Sequence, residues 1–112
     1  MNATAKKFSI GSVTLEHPVI LAPMAGVCDL PYRVIARHYG AALVCAEMIS
    51  SQGIRYSNAH TEELLRIDER EHPLSMQIFG SDPAVMAQAA AVVEKAGADI
   101  VDINMGCPVK KV

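Results

Sequence analysis

Residues that could bind or transform a ligand stand at the ends of four short apolar runs in this sequence. The runs cover residues 19–22, 41–46, 75–78 and 100–103. If they are parallel strands, the side chains at their ends meet at one edge of the sheet, where ligands bind in β/α folds. These side chains are Pro23-Met24-Ala25-Gly26, Glu47-Met48, Gln77 with Phe79-Gly80, and Asn104-Met105-Gly106-Cys107-Pro108.

Cys107 is the most reactive side chain in these clusters. It lies between Gly106 and Pro108 and has no nearby cysteine with which to pair. A single cysteine is more often a buried, inert thiol than a catalytic one. An ordinary thiol has a pKa of about 8.5, so at neutral pH it can donate a proton as well as act as a nucleophile. The residue type therefore suits a general acid.

Gln77 and the turn at Pro23-Met24 each allow a structural and a binding interpretation. A strand glutamine can bond nearby backbone groups, but burying an amide without a partner costs on the order of a few kcal/mol. A ligand at the mouth of the sheet would supply that partner. Proline ends strands, yet Pro23, Met24, Ala25 and Gly26 together would also form a flat apolar surface for an aromatic ring.

Other charged residues give weaker signals. Glu47 suits a helix N-terminus as well as a pocket, and we leave it out of the predicted site. The basic residues that could meet RNA phosphates are more simply explained as solvated surface charge. These are Arg33, Arg37, Lys110 and Lys111. The four histidines lack metal-ligand spacing, and no metal site is predicted.

The elements that would position these residues alternate along the chain. Phe8, Ile10, Val13 and Leu15 flank Gly11-Ser12 as in a hairpin. Asp29 with Pro31 predicts one helix, which ends before Gly40 and buries Val34, Ile35, His38 and Tyr39. Thr61–Leu65 predicts a short second helix. Asp82 with Pro83 predicts a third, which ends at Gly97 and buries Val85, Ala89, Val92, Val93 and Ala96.

This order, a hairpin followed by β-α-β-α-β-α-β, predicts a parallel sheet. The apolar runs recur at about the 30-residue spacing of a (β/α)₈ barrel. We therefore predict an α/β fold that is the N-terminal half of a (β/α)₈ TIM barrel. On this interpretation residues 1–112 form one partial domain with strands one to four, and the rest of the barrel lies beyond Val112.

Bulk properties narrow the functional classes. Hydrophobic residues make up 51% of the 112 residues, and ten basic against twelve acidic residues give a formal charge of -2. A nucleic-acid-binding surface would normally carry a basic excess, so if the protein contacts RNA, most of the contact surface lies elsewhere. Three cysteines without a C-x-x-C pair indicate a reducing compartment. Residues 1–7 lack the apolar core of a signal peptide, and no apolar run approaches the length needed to span a bilayer. We therefore predict a soluble, cytoplasmic protein.

Four motifs of the sequence resemble those of the tRNA-dihydrouridine synthases, and the bacterial B-type branch is the most similar. The resemblance covers nearly the whole chain from Ile10 onward, with the motifs in the family's order and spacing. They are Leu21-Ala22-Pro23-Met24-Ala25-Gly26-Val27 with Asp29-Leu30-Pro31-Tyr32-Arg33, Ala46-Glu47-Met48, Gln77-Ile78-Phe79-Gly80-Ser81-Asp82-Pro83, and Asp102-Ile103-Asn104-Met105-Gly106-Cys107-Pro108. One departure is Cys28, where the family usually has threonine.

The resemblance implies an FMN-containing barrel that uses NADPH to reduce uridine to 5,6-dihydrouridine in tRNA. It implies that Pro23, Met24 and Ala25 lie along the flavin and that Gln77 bonds the flavin ring. It further implies that Cys107 is the proton donor and that Asn104 lies near the substrate. The family's helical tRNA-binding domain and phosphate-binding loops would follow Val112, so the 112-residue chain alone is expected to be inactive.

Two alternatives stay open at this stage. The chain could exist as a separate, inactive product. It could also belong to a flavin barrel oxidoreductase that acts on a free pyrimidine or a small enone, which would lack a helical domain after the barrel.

Overall fold

The computed structural model describes residues 6–107, and its first element is an antiparallel hairpin. Strands β1 (Phe8–Ile10) and β2 (Val13–Leu15) are joined at Gly11, whose φ of +56° favours glycine. Leu15 is fully buried in a cluster with Ala42 and Leu43, which lie near the start of the apolar run at residues 41–46. The hairpin is confirmed, and it packs at the amino ends of the sheet.

The four apolar runs form parallel strands that neighbour one another in sequence order. They are β3 (Ile20–Leu21), β4 (Leu43–Cys45), β6 (Leu74–Phe79) and β7 (Ile100–Ile103). A two-residue strand, β5 (Ile49–Ser50), pairs with the far end of β6. At Ile78, β6 pairs with β5 on one side and with β7 on the other. Strand β5 therefore lies on the same side of β6 as β4 and continues β4 after an interruption at residues 46–48. The predicted fold class is confirmed.

Two helices begin and end close to the predicted residues. Helix α1 (Leu30–His38) begins after Asp29, whose carboxylate accepts the Tyr32 N–H at 3.0 Å. Helix α4 (Pro83–Ala96) begins after Asp82, which accepts two backbone N–H groups, and ends at Gly97 with φ +114°. Side-chain acceptors at N-caps and a left-handed glycine at the C-terminus are the signals on which the prediction relied.

The stretch between β5 and β6 holds more structure than the sequence predicted. Helix α3 (Ala59–Leu64) was predicted, whereas helix α2 (Ser51–Tyr56) and a 3₁₀ helix (Glu69–Glu71) were not. Helix α2 begins directly from β5, where Ser50 accepts the Gly53 N–H. Because α2 is short and mostly polar, its sequence carries little helical periodicity.

The predicted buried face of α1 was wrong, and that of α4 was partly right. Ile35 and Tyr39 are 58% and 83% exposed, while Arg33 is 2% exposed. Helix α1 turns its two arginines inward, where their guanidinium groups bond protein groups. In α4, Val85, Ala89 and Val93 are buried, but Val92 and Ala96 are exposed, and Met86 and Ala90 complete the packed face.

The two faces of the sheet carry different kinds of side chain. One face packs against α2 and α4 through a cluster of sheet and helix residues, namely Val44, Ala46, Leu74, Met76, Ile78, Ile54, Ala89 and Val93. The other face changes from apolar to polar along the strands. From amino to carboxyl ends it carries Leu43 and Ile100, then Cys45 and Ser75, then Gln77 and Asp102. The polar end of this face positions the candidate site.

Within the described residues, every helix is too short or too polar to cross a membrane.

Candidate active site

Gln77, Asp102 and Asn104 form a connected group at the carboxyl ends of β6 and β7. Gln77 and Asp102 stand opposite each other in register, and Asn104 follows two residues later on the same side. Gln77 Nε2 donates to Asp102 Oδ2 at 2.6 Å, and Asn104 Nδ2 donates to Gln77 Oε1 at 3.2 Å. The Gln77 amide therefore has side-chain partners within the protein, whereas the sequence suggested backbone groups or a ligand.

Asn104 connects this group to the loop that carries Cys107. Its Oδ1 accepts the backbone N–H groups of Gly106 and Cys107, each at 3.0 Å. Its own backbone N–H donates to Ile78 O at 2.9 Å, which continues the β6–β7 pairing by one step. Because both the backbone and the side chain of Asn104 are bonded, the loop leaves the strand in a defined direction. Cys107 is half-buried at that loop, as a free thiol.

The residues predicted to form an apolar surface lie in a tight turn after β3. The Met24 carbonyl accepts the N–H groups of Val27 and Cys28 at 3.1 and 2.9 Å, and Gly26 has φ +74°. Pro23 and Met24 are half-buried, and Ala25 is exposed. The turn thus presents small apolar groups at the carboxyl edge of the sheet.

Glu47 is part of this edge, although the sequence left its role open. The residue follows β4, and its carboxylate accepts the Gly26 N–H at 3.3 Å. It lines two neighbouring cavities of about 470 and 460 Å³, the second of which also contacts Ala25 and Met48. Met48 Sδ in turn lies 3.9 Å from Asn104 Nδ2. Glu47 and Met48 therefore stand between the turn and the Asn104 group.

Arg33 is a buried residue that hydrogen-bonds the turn after β3, and it is not a surface charge. Its Nη1 donates to the Cys28 carbonyl at 2.7 Å, and its Nη2 donates to the Arg66 carbonyl at 3.3 Å. Its Nε is ion-paired with Glu71, which is completely buried. These bonds tie the turn, α1 and the 3₁₀ helix together. Arg33 is therefore unavailable for RNA phosphates, which corrects one interpretation of the sequence.

Arg37 is also used internally, since it donates to the carbonyls of His72 and Ala41. Lys110 and Lys111, the other two basic residues named from the sequence, lie outside the described residues, as does Pro108.

The other two thiols are buried, whereas Cys107 is only half-buried. Cys28 is fully buried, and its Sγ donates to the Ala22 carbonyl at 3.2 Å. Burial raises the pKa of the Cys28 thiol. Burial also raises the pKa of the Cys45 thiol, with a further increase from the nearby Asp102 charge. Both thiols are therefore held in their protonated form inside the protein.

Comparisons with known proteins agree with this arrangement of motifs. Residues 20–112 match the family model described as dihydrouridine synthase (Dus). This chain belongs to the dihydrouridine synthase family. It is 49% identical over 104 residues to a tRNA-dihydrouridine synthase B of Pseudomonas aeruginosa and to one of Pseudomonas putida. It is 43% identical over 103 residues to the tRNA-dihydrouridine synthase B of Vibrio vulnificus.

The match covers most of this chain but a smaller part of its relatives. In each case 92% of the chain is aligned with 31% or 32% of the relative. The chain spans about a third of the length of these synthases. The family match includes β3 to β7 with every candidate site residue, and the hairpin precedes it.

Within the dihydrouridine synthase match, the structure joins some predicted site residues directly and others only through neighbours. Gln77, Asn104 and Cys107 are linked by hydrogen bonds. Pro23, Met24 and Ala25 lie on a separate turn, which reaches the others through Glu47 and Met48. Asp102 was missed as a site residue, although its spacing from Asn104 in a strand places both on one face.

Residues 6–107 contain no group of three or more histidine, cysteine or acidic side chains arranged to hold a metal ion.

Proposed function

We propose that this chain is the N-terminal part of the catalytic barrel of a tRNA-dihydrouridine synthase. The enzyme would reduce uridine to 5,6-dihydrouridine in tRNA with FMN and NADPH. Support comes from the family match over residues 20–112 and from the names of relatives at 43% to 49% identity. The tRNA would be held largely by parts of the enzyme outside this chain, which has a formal charge of -2. A reducing, cytoplasmic setting suits its three free cysteines.

The residues at the carboxyl edge fit a flavin. Pro23, Met24 and Ala25 would lie along the ring, because an exposed apolar turn can cover an aromatic surface. Gln77 would bond the ring edge, because one N–H of its amide remains free after the bond to Asp102. When bound, the flavin supplies the hydride, having received it from NADPH.

Cys107 would donate the proton that accompanies hydride addition. Reduction of a carbon–carbon double bond needs a hydride at one carbon and a proton at its neighbour, and a protonated thiol can supply the latter. One observation carries this assignment: Asn104 holds the Cys107 backbone at the same edge as the Gln77 amide. Asn104 would also lie near the substrate, since its side chain stands at the same edge as the Gln77 amide and the Cys107 loop.

The test is single-turnover oxidation of the reduced flavin by tRNA in the intact enzyme. Cys107→Ala should bind FMN and accept hydride from NADPH as the wild type does, because neither step uses the thiol. Oxidation of the flavin by tRNA should slow by about 10²- to 10⁴-fold, the usual value of general acid catalysis. Cys107→Ser should also be slow, because a hydroxyl is a much weaker acid than a thiol.

Cys28→Thr is the matched control, because it removes a different thiol and introduces the residue that the family usually has there. Its rate should stay near that of the wild type. A Cys107→Ala enzyme with wild-type rates would remove Cys107 from the mechanism. Loss of FMN from that variant would assign Cys107 a structural role.

A further inference from the structure

The hydrogen bonds around Gln77 have a fixed direction, and Asp102 sets it. An aspartate carboxylate accepts hydrogen bonds and donates none, whereas a side-chain amide has one donating and one accepting end. The end of Gln77 that faces Asp102 Oδ2 at 2.6 Å must therefore be Nε2. The Oε1 end then faces Asn104.

The opposite end of the group enforces the same direction. The backbone N–H groups of Gly106 and Cys107 can only donate, so the atom of Asn104 that they contact at 3.0 Å must be Oδ1. Asn104 consequently turns Nδ2 toward Gln77, which accepts at 3.2 Å. An acceptor at one end and two donors at the other thus leave only one orientation for both amides.

We propose that Asp102 is a positioning residue that fixes the Gln77 amide so that it offers an N–H, and not its oxygen, to the bound flavin. The inference rests on the proposed function, since it concerns how that flavin is held. Within the described residues Asp102 has no cationic partner, and its hydrogen bond is to Gln77. Its charge therefore strengthens one particular N–H···O bond rather than an ion pair.

This geometry defines what Gln77 can recognise. One Nε2 proton is bonded to Asp102, and the second is free for a ligand acceptor such as a ring carbonyl oxygen or an unprotonated ring nitrogen. If the amide could rotate, its oxygen would face such an acceptor and repel it. Replacing Asp102 with asparagine removes the restraint at this end, because asparagine can donate to Gln77 Oε1 as readily as it can accept from Nε2. The bond from Asn104 Nδ2 is then the remaining restraint on the Gln77 amide.

The experiment measures FMN affinity in the intact apoenzyme by quenching of flavin fluorescence. Asp102→Asn should raise the Kd for FMN about 10-fold, which corresponds to about 1.4 kcal/mol. In a Gln77→Ala background the same substitution should change Kd less than about 2-fold, because coupled residues are not additive. Asp99→Asn is the matched control, at the amino end of β7 where Asp99 accepts the Leu74 N–H. It should leave Kd unchanged.

A second readout needs no flavin. In the NMR spectrum of the apoenzyme, the Gln77 side-chain amide protons are identified by their loss in Gln77→Ala. One of them should be shifted downfield and slow to exchange in the wild type, and this signature should disappear in Asp102→Asn.

The outcomes separate the two proposals. Additive effects of Asp102→Asn and Gln77→Ala on Kd, or an unchanged amide spectrum in Asp102→Asn, would overturn the role of Asp102. If the wild-type enzyme failed to bind FMN, the proposed function would fall, and the amide spectrum alone would decide whether Asp102 orients Gln77.

Discussion

Asn104 uses its side-chain oxygen to hold the loop that carries Cys107 and its side-chain nitrogen to contact Gln77. Asn104→Ala removes both contacts, whereas Asn104→Asp keeps the acceptor for the loop. We expect backbone hydrogen exchange at Gly106 and Cys107 to be about 5- to 10-fold faster in the alanine variant, since a hydrogen bond contributes about 1 kcal/mol. In the aspartate variant these two amides should exchange at the wild-type rate.

NMR of the intact apoenzyme measures these rates residue by residue. The Asn104 N–H, which bonds the Ile78 carbonyl, serves as an internal reference because neither substitution removes it. Equal exchange at Gly106 and Cys107 in all three proteins would show that the side chain of Asn104 does not hold the loop.

The buried pair Arg33–Glu71 gives a second prediction for single residues. Arg33→Met leaves the Glu71 carboxylate buried without its cation, which should cost about 3 to 5 kcal/mol of unfolding free energy. Arg33→Met with Glu71→Gln should recover a large part of that loss. The glutamine is neutral, and its oxygen can still accept the Asp68 N–H that Glu71 Oε2 now accepts at 2.7 Å.

Urea unfolding of the intact protein gives both free energies. Lys7→Met is the control, because its partner Glu16 is mostly exposed and a surface ion pair contributes about 0 to 1 kcal/mol. A double variant no more stable than Arg33→Met would contradict the account.

The sequence predicted which residues come together at the strand ends better than it predicted their surroundings. Cys107, Gln77 and Asn104 were found from strand ends and motif resemblance, and the structure places them together. Arg33 was assigned to the surface because arginine seldom lies in a core. Its burial depends on Glu71, which is 38 residues away in sequence and carries no local signal.

At the scale of helices and strands, the elements with the strongest local sequence signals were predicted best. Helix α4 has an Asp N-cap, a first-turn proline and a C-terminal glycine, and its bounds agree with prediction. Helix α2 has a serine cap and six residues, and it was not predicted. A short helix depends on tertiary contacts more than on its own periodicity. One close contact of α2 is with Gly80, in the loop after β6.

Gly80 allows the close approach of that loop to α2. A Cβ at Gly80 would lie 2.1 Å from Ser51 Oγ and 2.9 Å from Met86 Sδ. Ser51 is buried at the start of α2, so it has little room to move. Gly80→Ala should therefore destabilise the protein by about 1 to 3 kcal/mol, as overpacking does.

Gly106→Ala is the matched control, because a Cβ there would have no heavy atom within 4 Å. Thermal unfolding of the intact protein should show a lower Tm for Gly80→Ala and a Tm close to that of the wild type for Gly106→Ala. Similar Tm values for the two variants would mean that Gly80 is not needed for packing.

For the molecule as a whole, the sheet's two faces explain why the fold was predictable. Continuous apolar runs indicated strands covered on both sides, and one face is indeed packed by helices and the other partly by the hairpin. What periodicity could not show is the polar change along the second face, since it arises from register between strands. Gln77 and Asp102 are 25 residues apart and meet only in the assembled sheet.

The buried thiols make stability depend on pH. Burial raises the pKa of Cys28 and of Cys45, so the folded protein retains these protons more firmly than the unfolded chain. Unfolded thiols ionise above a pH of about 8.5. The thiol contribution to stability is therefore complete below that pH and is lost as pH rises through the folded pKa values.

Urea unfolding between pH ~7 and ~10 should show this decline in wild type and a shallower one in Cys28→Thr with Cys45→Ala. Lysine and tyrosine ionisation affects both proteins equally, so the difference between their slopes isolates the thiols. Parallel slopes would show that neither thiol contributes.

The Arg33–Glu71 pair also constrains how this sequence can diverge. A neutral residue at position 33 alone leaves a buried anion without its partner, and a neutral residue at position 71 alone leaves a buried cation without its partner. Each single step is costly, while the paired change is tolerable. Across lineages these two positions should therefore covary, and substitution at one should be found together with a compensating substitution at the other.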